Sequence, residues 1–132
     1  MVPCLVIGDS IAVGIGQFLP DCRVEARVGI SAGRFVHEIL TPQSARMAVI
    51  SLGVNDGIAP GATARELRAV RRSTTSPVVY WVLPGSHPDA RAAIRMVARE
   101  FGDRLIDAGP MAGGDGLHPT NAGYRTLASL VQ

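Results

Sequence analysis

The sequence has no lysine; all 13 of its basic residues are arginine. A P-loop needs a lysine to reach the nucleotide phosphates, so that class of site is excluded. The absence itself reads as a compositional bias rather than a functional device. Cysteine is scarce too: Cys4 and Cys22 are the only two. Neither has a companion at metal-ligand spacing, which excludes a cysteine-based zinc site. Both fall near the starts of predicted neighbouring strands, so a disulfide is open, but buried free thiols are the expected state. No apolar run approaches the ~18 residues of a membrane-spanning helix. The opening MVPCLVIGDS lacks the basic stretch and cleavage site of a secretory leader and reads as a strand. These absences lead to the expectation of a soluble, cytoplasmic protein with no membrane partner. The net charge is only +2 and no nucleic-acid-binding motif accompanies it, so nucleic acid is not an expected partner. Two arginine stripes, Arg65, Arg68, Arg71 and Arg72, then Arg91, Arg95 and Arg99, read as solvated outer faces of helices.

What is present is the composition of a folded chain. With 132 residues, 47% hydrophobic and 18% charged, residues 1–132 are expected to form one domain whose core requires neither metal nor disulfide. Five short apolar runs stand out, at residues 4–8, 22–28, 47–52, 78–83 and 104–107. Most are continuous rather than alternating, as in parallel strands covered on both faces. Helical segments lie between them at 64–72 and 89–101, the latter just after Pro88, with shorter ones at 13–19 and 34–40. A last helix at 120–131 follows Pro119. This alternation predicts an α/β fold: a three-layer α/β/α sandwich around a five-stranded parallel sheet, most simply in the flavodoxin-like strand order 2-1-3-4-5.

In such sheets ligands bind beyond the carboxyl ends of the strands, so the residues after each strand matter most. The first strand is followed by Gly8-Asp9-Ser10-Ile11 and the second by Gly29-Ile30-Ser31-Ala32-Gly33. The third is followed by Gly53-Val54-Asn55-Asp56, and the fifth by a glycine-rich loop ending Asp115-Gly116-Leu117-His118-Pro119. A serine is a weak nucleophile until a base takes its proton. His118 is the one histidine in a strand-end loop with a carboxylate close by, and Asp115, three residues earlier, is placed to orient its imidazole. Asn55 can direct a side-chain amide at a developing oxyanion, with backbone N–H groups of Ser10 and of the turn after the second strand beside it.

These residues resemble the blocks that mark the SGNH hydrolases, the GDSL esterase/lipase family. The first block is present as Gly8-Asp9-Ser10, with Ile11 where leucine is usual. The third, GxND, is complete at Gly53 to Asp56, and the fifth, DxxH, is complete at Asp115 to His118. They occur in the family's order along the whole chain. The resemblance implies Ser10 as nucleophile and oxyanion donor, Asn55 as oxyanion donor, and His118 with Asp115 as base and orienter, without a cofactor or metal. The second block departs from the pattern. The ungapped match gives Ile30-Ser31-Ala32 followed by Gly33, so the second backbone donor falls to Ala32 or, with a one-residue slip, to Gly33.

Gly29 to Gly33 also fits the nucleophile-elbow pattern G-x-S-x-G. That elbow, however, follows several strands in a much longer chain, which disfavours Ser31. Asp9 and Asp56 read as caps of turns or helices, His37 as a surface residue, His87 as a cap or surface group, and Trp81 as core. Gly14-Ile15-Gly16 is too short for a dinucleotide fingerprint. The expected activity is hydrolysis of short-chain acyl or acetyl esters, with a small-molecule or acylated-glycan ester as substrate. The alternatives are acyl transfer on the same site, or a catalytically silent carbohydrate-binding or structural module.

Overall fold

Each apolar run becomes a strand in the computed structural model, which describes residues 1–57 and 60–132. The strands are β1 (Val2–Gly8), β2 (Cys22–Ala26), β3 (Gln43–Ser51), β5 (Val79–Leu83) and β6 (Arg104–Asp107). They lie in the order β2-β1-β3-β5-β6, and every pairing is parallel. A sixth strand, β4 (Thr74–Thr75), pairs with the start of β3. Two residues leave no apolar run to read, which is why the sequence predicts five strands. With β4 set aside, the order is the predicted 2-1-3-4-5.

The helices are α1 (Ser10–Gly16), α2 (Ala32–Glu38), α3 (Pro60–Arg72), α4 (Pro88–Phe101) and α5 (Asn121–Leu130). The sheet separates two apolar layers. On one face Leu5, Ile7, Ile50, Trp81 and Leu83 pack with Phe35, Leu67, Val70, Ile94 and Val97 from α2, α3 and α4. On the other, Val6, Val49, Val82 and Ile106 pack with Ile11, Ile15 and Leu127 from α1 and α5. Neighbouring residues of one strand serve opposite layers, as the pleat requires. This double coverage is why the apolar runs are unbroken.

α1 begins at Ser10, earlier than the apolar spacing indicates, because the Asp9 carboxylate caps it by accepting the Ile11 N–H at 3.0 Å. Two glycines set the approach of the elements around Ser10. Gly8 has φ of 139°, and a Cβ there would overlap the Ser51 carbonyl on β3. Gly14 lets α1 press against the Tyr124 ring on α5, where a Cβ would collide with that ring.

The expectation of free thiols is overturned. Cys4 and Cys22 are register partners on β1 and β2 and are disulfide-bonded, with Cα atoms 4.6 Å apart. Only the register, which is not visible in the sequence, brings them side by side. The arginine stripes are also more than solvated faces. Arg68 pairs with Glu100 across α3 and α4, Arg71 with Asp103, and Arg91 with Asp107. Trp81 is fully buried, as expected of a core residue, and its indole N–H donates to Asp103 at 2.9 Å. No helix among the described residues is long and apolar enough to cross a membrane.

Candidate active site

The parallel arrangement brings the loops after β1, β2, β3 and β6 to the carboxyl edge of the sheet. Ser10 arrives from the tight β1–α1 junction, whose geometry is fixed by a bond from the Asp9 N–H to the Ser51 carbonyl at 2.9 Å. His118 arrives from the long loop between β6 and α5. That loop closes on itself through the Gly113 N–H bonded to the His118 carbonyl at 2.8 Å.

Ser10 Oγ lies 3.0 Å from His118 Nε2, although 108 residues separate the two in the chain. His118 Nδ1 lies 2.6 Å from Asp115 Oδ2. The Asp115 carboxylate can only accept from the ring, so Nδ1 carries a proton and Nε2 is left to accept from the serine hydroxyl. The other Asp115 oxygen accepts the backbone N–H groups of Leu117 and His118 at 2.9 and 2.8 Å. The His118 ring and these two N–H groups hold the Asp115 carboxyl down at about 2. Asp115 and His118 are about half exposed, and Ser10 is half-buried, so this hydrogen-bonded line opens to solvent.

The second cluster centres on Asp56. Its Oδ1 accepts the Ala32 N–H at 2.8 Å and its Oδ2 accepts the Thr63 hydroxyl at 2.7 Å. Asp56 therefore links the loop after β3 to the starts of α2 and α3 rather than capping its own turn, a role its position in the sequence does not reveal. Beside it, Asn55 Nδ2 donates to the Ile30 carbonyl at 3.1 Å, which orients the amide and leaves its second N–H available. The Ala32 N–H is occupied by Asp56, whereas among the described residues the Ser10 and Gly33 N–H groups have no acceptor. Gly33 and Asn55 line one hollow of about 280 Å³ together with Ser31, Ala62, Thr63 and Glu66. A larger hollow, of about 510 Å³, lies beside Pro3, Met47 and the disulfide, at the amino ends of the strands and away from Ser10.

Ser31, the alternative serine, is the cap of α2: its Oγ accepts the Arg34 N–H at 3.2 Å. His37 is exposed. His87 caps α4, as one of its readings held, and also bonds to the Asp56 carbonyl. Among the described residues no group of three or more His, Cys, Asp or Glu side chains is arranged to hold a metal ion.

No protein-family model matches the sequence, and neither does any curated protein. Solved structures do match. The chain is similar to the C-terminal catalytic domain of Streptococcus pneumoniae peptidoglycan O-acetyltransferase A, solved with a methylsulfonyl adduct. That match has 17% identity and a TM-score of 0.58, covering 96% of this chain and 88% of that one. A protein described as a GDSL-like lipase, from Bacteroides uniformis, matches at 12% identity and a TM-score of 0.68, with 98% and 93% covered. A carbohydrate esterase of family 3 from Talaromyces cellulolyticus matches at 17% identity and a TM-score of 0.59, again with 98% and 93% covered. At these identities the likeness shows that the chain shares its fold with these three structures. In this fold, the loops after β1, β2, β3 and β6 carry the four sequence blocks in their order along the chain.

Proposed function

We propose that the chain is a serine hydrolase of carboxylic esters, with Ser10 as nucleophile, His118 as base, and Asp115 orienting the base. The observation that carries this reading is the continuous line from Ser10 Oγ through His118 to Asp115, at 3.0 and 2.6 Å. As Ser10 attacks the acyl carbonyl, its proton passes to His118 Nε2, and the imidazolium so formed is stabilised by the ionised Asp115. The tetrahedral oxyanion is held by the Ser10 and Gly33 N–H groups and by the Asn55 amide. Gly33 is preferred to Ala32 as second donor because the Ala32 N–H is already bonded to Asp56. Collapse expels the alcohol, which receives the proton from His118 and leaves an acyl group on Ser10. Water, deprotonated by the same histidine, then releases the acid. Turnover of this kind needs no cofactor.

Acyl transfer to an acceptor other than water is the second reading, favoured by the likeness to an O-acetyltransferase domain. The two share every step up to the acyl-enzyme and differ in what attacks it. Ser10→Ala is expected to abolish both ester hydrolysis and labelling by a fluorophosphonate, a loss of up to ~10⁶ in kcat, while Ser31→Ala keeps most of both. An active Ser10→Ala protein would refute the proposal. Product analysis with acetylated glycans, with and without a hydroxyl acceptor, separates hydrolysis from transfer.

The Cys4–Cys22 bond supports an oxidising working compartment, against the cytoplasmic expectation, because such bonds rarely persist among cytosolic thiols. Protein purified without reductant is expected to show no titratable thiol before unfolding with reductant and two afterwards. Two thiols in the untreated protein would count against it.

A further inference from the structure

His87 stands outside the line from Ser10 to Asp115, yet its ring bridges the start of α4 and the loop after β3. Nδ1 lies 3.1 Å from the Ala90 N and Nε2 lies 2.9 Å from the Asp56 carbonyl oxygen. A backbone N–H can only donate and a carbonyl can only accept. Nδ1 is therefore the acceptor, and the single proton of a neutral ring sits on Nε2, donating to Asp56. The residue takes up a backbone conformation that L-residues rarely adopt, φ 71° and ψ 77°. It is the one non-glycine residue with positive φ among those described.

The partner of that bond is the hub of the second cluster. The Asp56 N–H is bonded to the Gly53 carbonyl, and its carboxylate holds the Ala32 N–H and the Thr63 hydroxyl. Its carbonyl is held by His87. Every hydrogen-bonding group of Asp56 is thereby engaged: its N–H within its own turn, and its carboxylate and carbonyl toward α2, α3 and the start of α4. Asn55 is the residue before it in the chain, and Gly33 follows the Ala32 that Asp56 ties down. The spacing of these two donors depends on where the Asp56 backbone sits, and His87 sets that position from the α4 side.

We propose that His87 is a positioning residue for the oxyanion site: its ring holds the Asp56 peptide so that the Asn55 amide and the Gly33 N–H converge on one point. The inference rests on the esterase reading, because it gives Asn55 and Gly33 their work. Its consequence is a separation of the two ring nitrogens by role. The Nδ1 bond caps α4 and acts on stability. The Nε2 bond acts on the rate through the oxyanion donors, where a misplacement of about 1 Å costs up to ~10² in rate.

Two substitutions test each nitrogen alone. His87→Asn tolerates the left-handed backbone and keeps an oxygen near the Nδ1 position to cap α4, but is too short to reach the Asp56 carbonyl. His87→Gln carries an amide N–H out to the Nε2 position but gives up the cap. With p-nitrophenyl acetate, His87→Asn is expected to unfold near the wild-type denaturant midpoint while kcat falls roughly 10- to 100-fold at nearly constant KM. His87→Gln is expected to show a lowered midpoint with most of kcat restored. Wild-type kcat in His87→Asn, or equal kcat losses in both variants, would overturn the proposal. Ser10→Ala is run alongside: its activity, if retained, would overturn the esterase reading instead, so the two failures are told apart.

Discussion

Asp9 is almost completely buried beside Ser10, and only one of its carboxylate oxygens is bonded. Oδ1 accepts from the Ile11 N–H and from the Ser51 hydroxyl, both at 3.0 Å, while Oδ2 has no partner. Burial pushes the carboxyl up to about 6, against the lowering effect of these two bonds. A folded-state value above the ordinary 3.8 means that the contribution to stability is full below about pH 4 and is lost as pH rises through 6. The loss is on the order of 3 kcal/mol. Asp9→Asn removes the ionisation, although its unpaired NH₂ costs about 1–3 kcal/mol at every pH. The expected result is therefore in the slope: relative to wild type, the variant gains stability between about pH 4 and pH 7.5. Parallel urea stabilities across that range would show that Asp9 is not the source. The pH dependence of catalysis has a separate origin. Asp115, held at about 2, stays ionised throughout this range, so its loss of charge contributes nothing to kcat/KM there. Asp115→Asn should lower kcat by roughly 10²–10⁴. Steady-state kinetics with p-nitrophenyl acetate check this, and a wild-type kcat in Asp115→Asn would remove Asp115 from the role of orienter.

Between elements, a buried polar tie is centred on Asp103, just before β6. Its carboxylate takes a forked pair of bonds from Arg71 on α3, at 2.7 and 3.1 Å, and one from the Trp81 indole on β5. Arg71 also donates to the Thr74 carbonyl in β4 and lies over the Phe101 ring at the end of α4. Its side chain is only 15% exposed and that of Asp103 only 4%. Asp103→Ala would leave a guanidinium and an indole N–H without their acceptor, at a cost of roughly 3–5 kcal/mol. Because Asp103 precedes β6, it lies at the amino ends of the strands, away from Ser10. The variant is expected to unfold at a much lower denaturant concentration while the folded fraction keeps its kcat. A loss of stability under ~1 kcal/mol would show that the pair is solvated like an ordinary surface bridge.

For the whole molecule, the site is open, with a modest hollow of about 280 Å³ beside Gly33 and Asn55 and with Ser31, Ala62, Thr63 and Glu66 in its walls. A longer acyl chain gains binding only where its methylenes leave water, at ~0.8 kcal/mol each, and so small an apolar surface offers little of that. Esters from acetyl to butyryl are therefore expected to be turned over with higher kcat/KM than long-chain esters. A series of p-nitrophenyl esters below micelle-forming concentrations checks this, and a steady rise to dodecanoyl would refute it.

Much of this architecture is determined locally. Unbroken apolar runs separated by helical spacing specify a parallel sheet covered on both faces, because each strand buries side chains on two layers. Ser10, Asn55, Asp115 and His118 could be picked out because short blocks of chemistry-bearing residues follow strand ends, where such sheets bind ligands. The contacts that cross the chain were decided only by the tertiary structure. Strand register made a disulfide of Cys4 and Cys22, and the packing of α3 on α4 turned arginine stripes into ion pairs. The Asp56 carboxylate takes the Ala32 N–H, and the bridge from His87 to Asp56 depends on how α4 docks. Periodicity and spacing report what a residue does within its own element. A hydrogen bond between residues tens of positions apart depends on the relative placement of two elements, which no local pattern encodes.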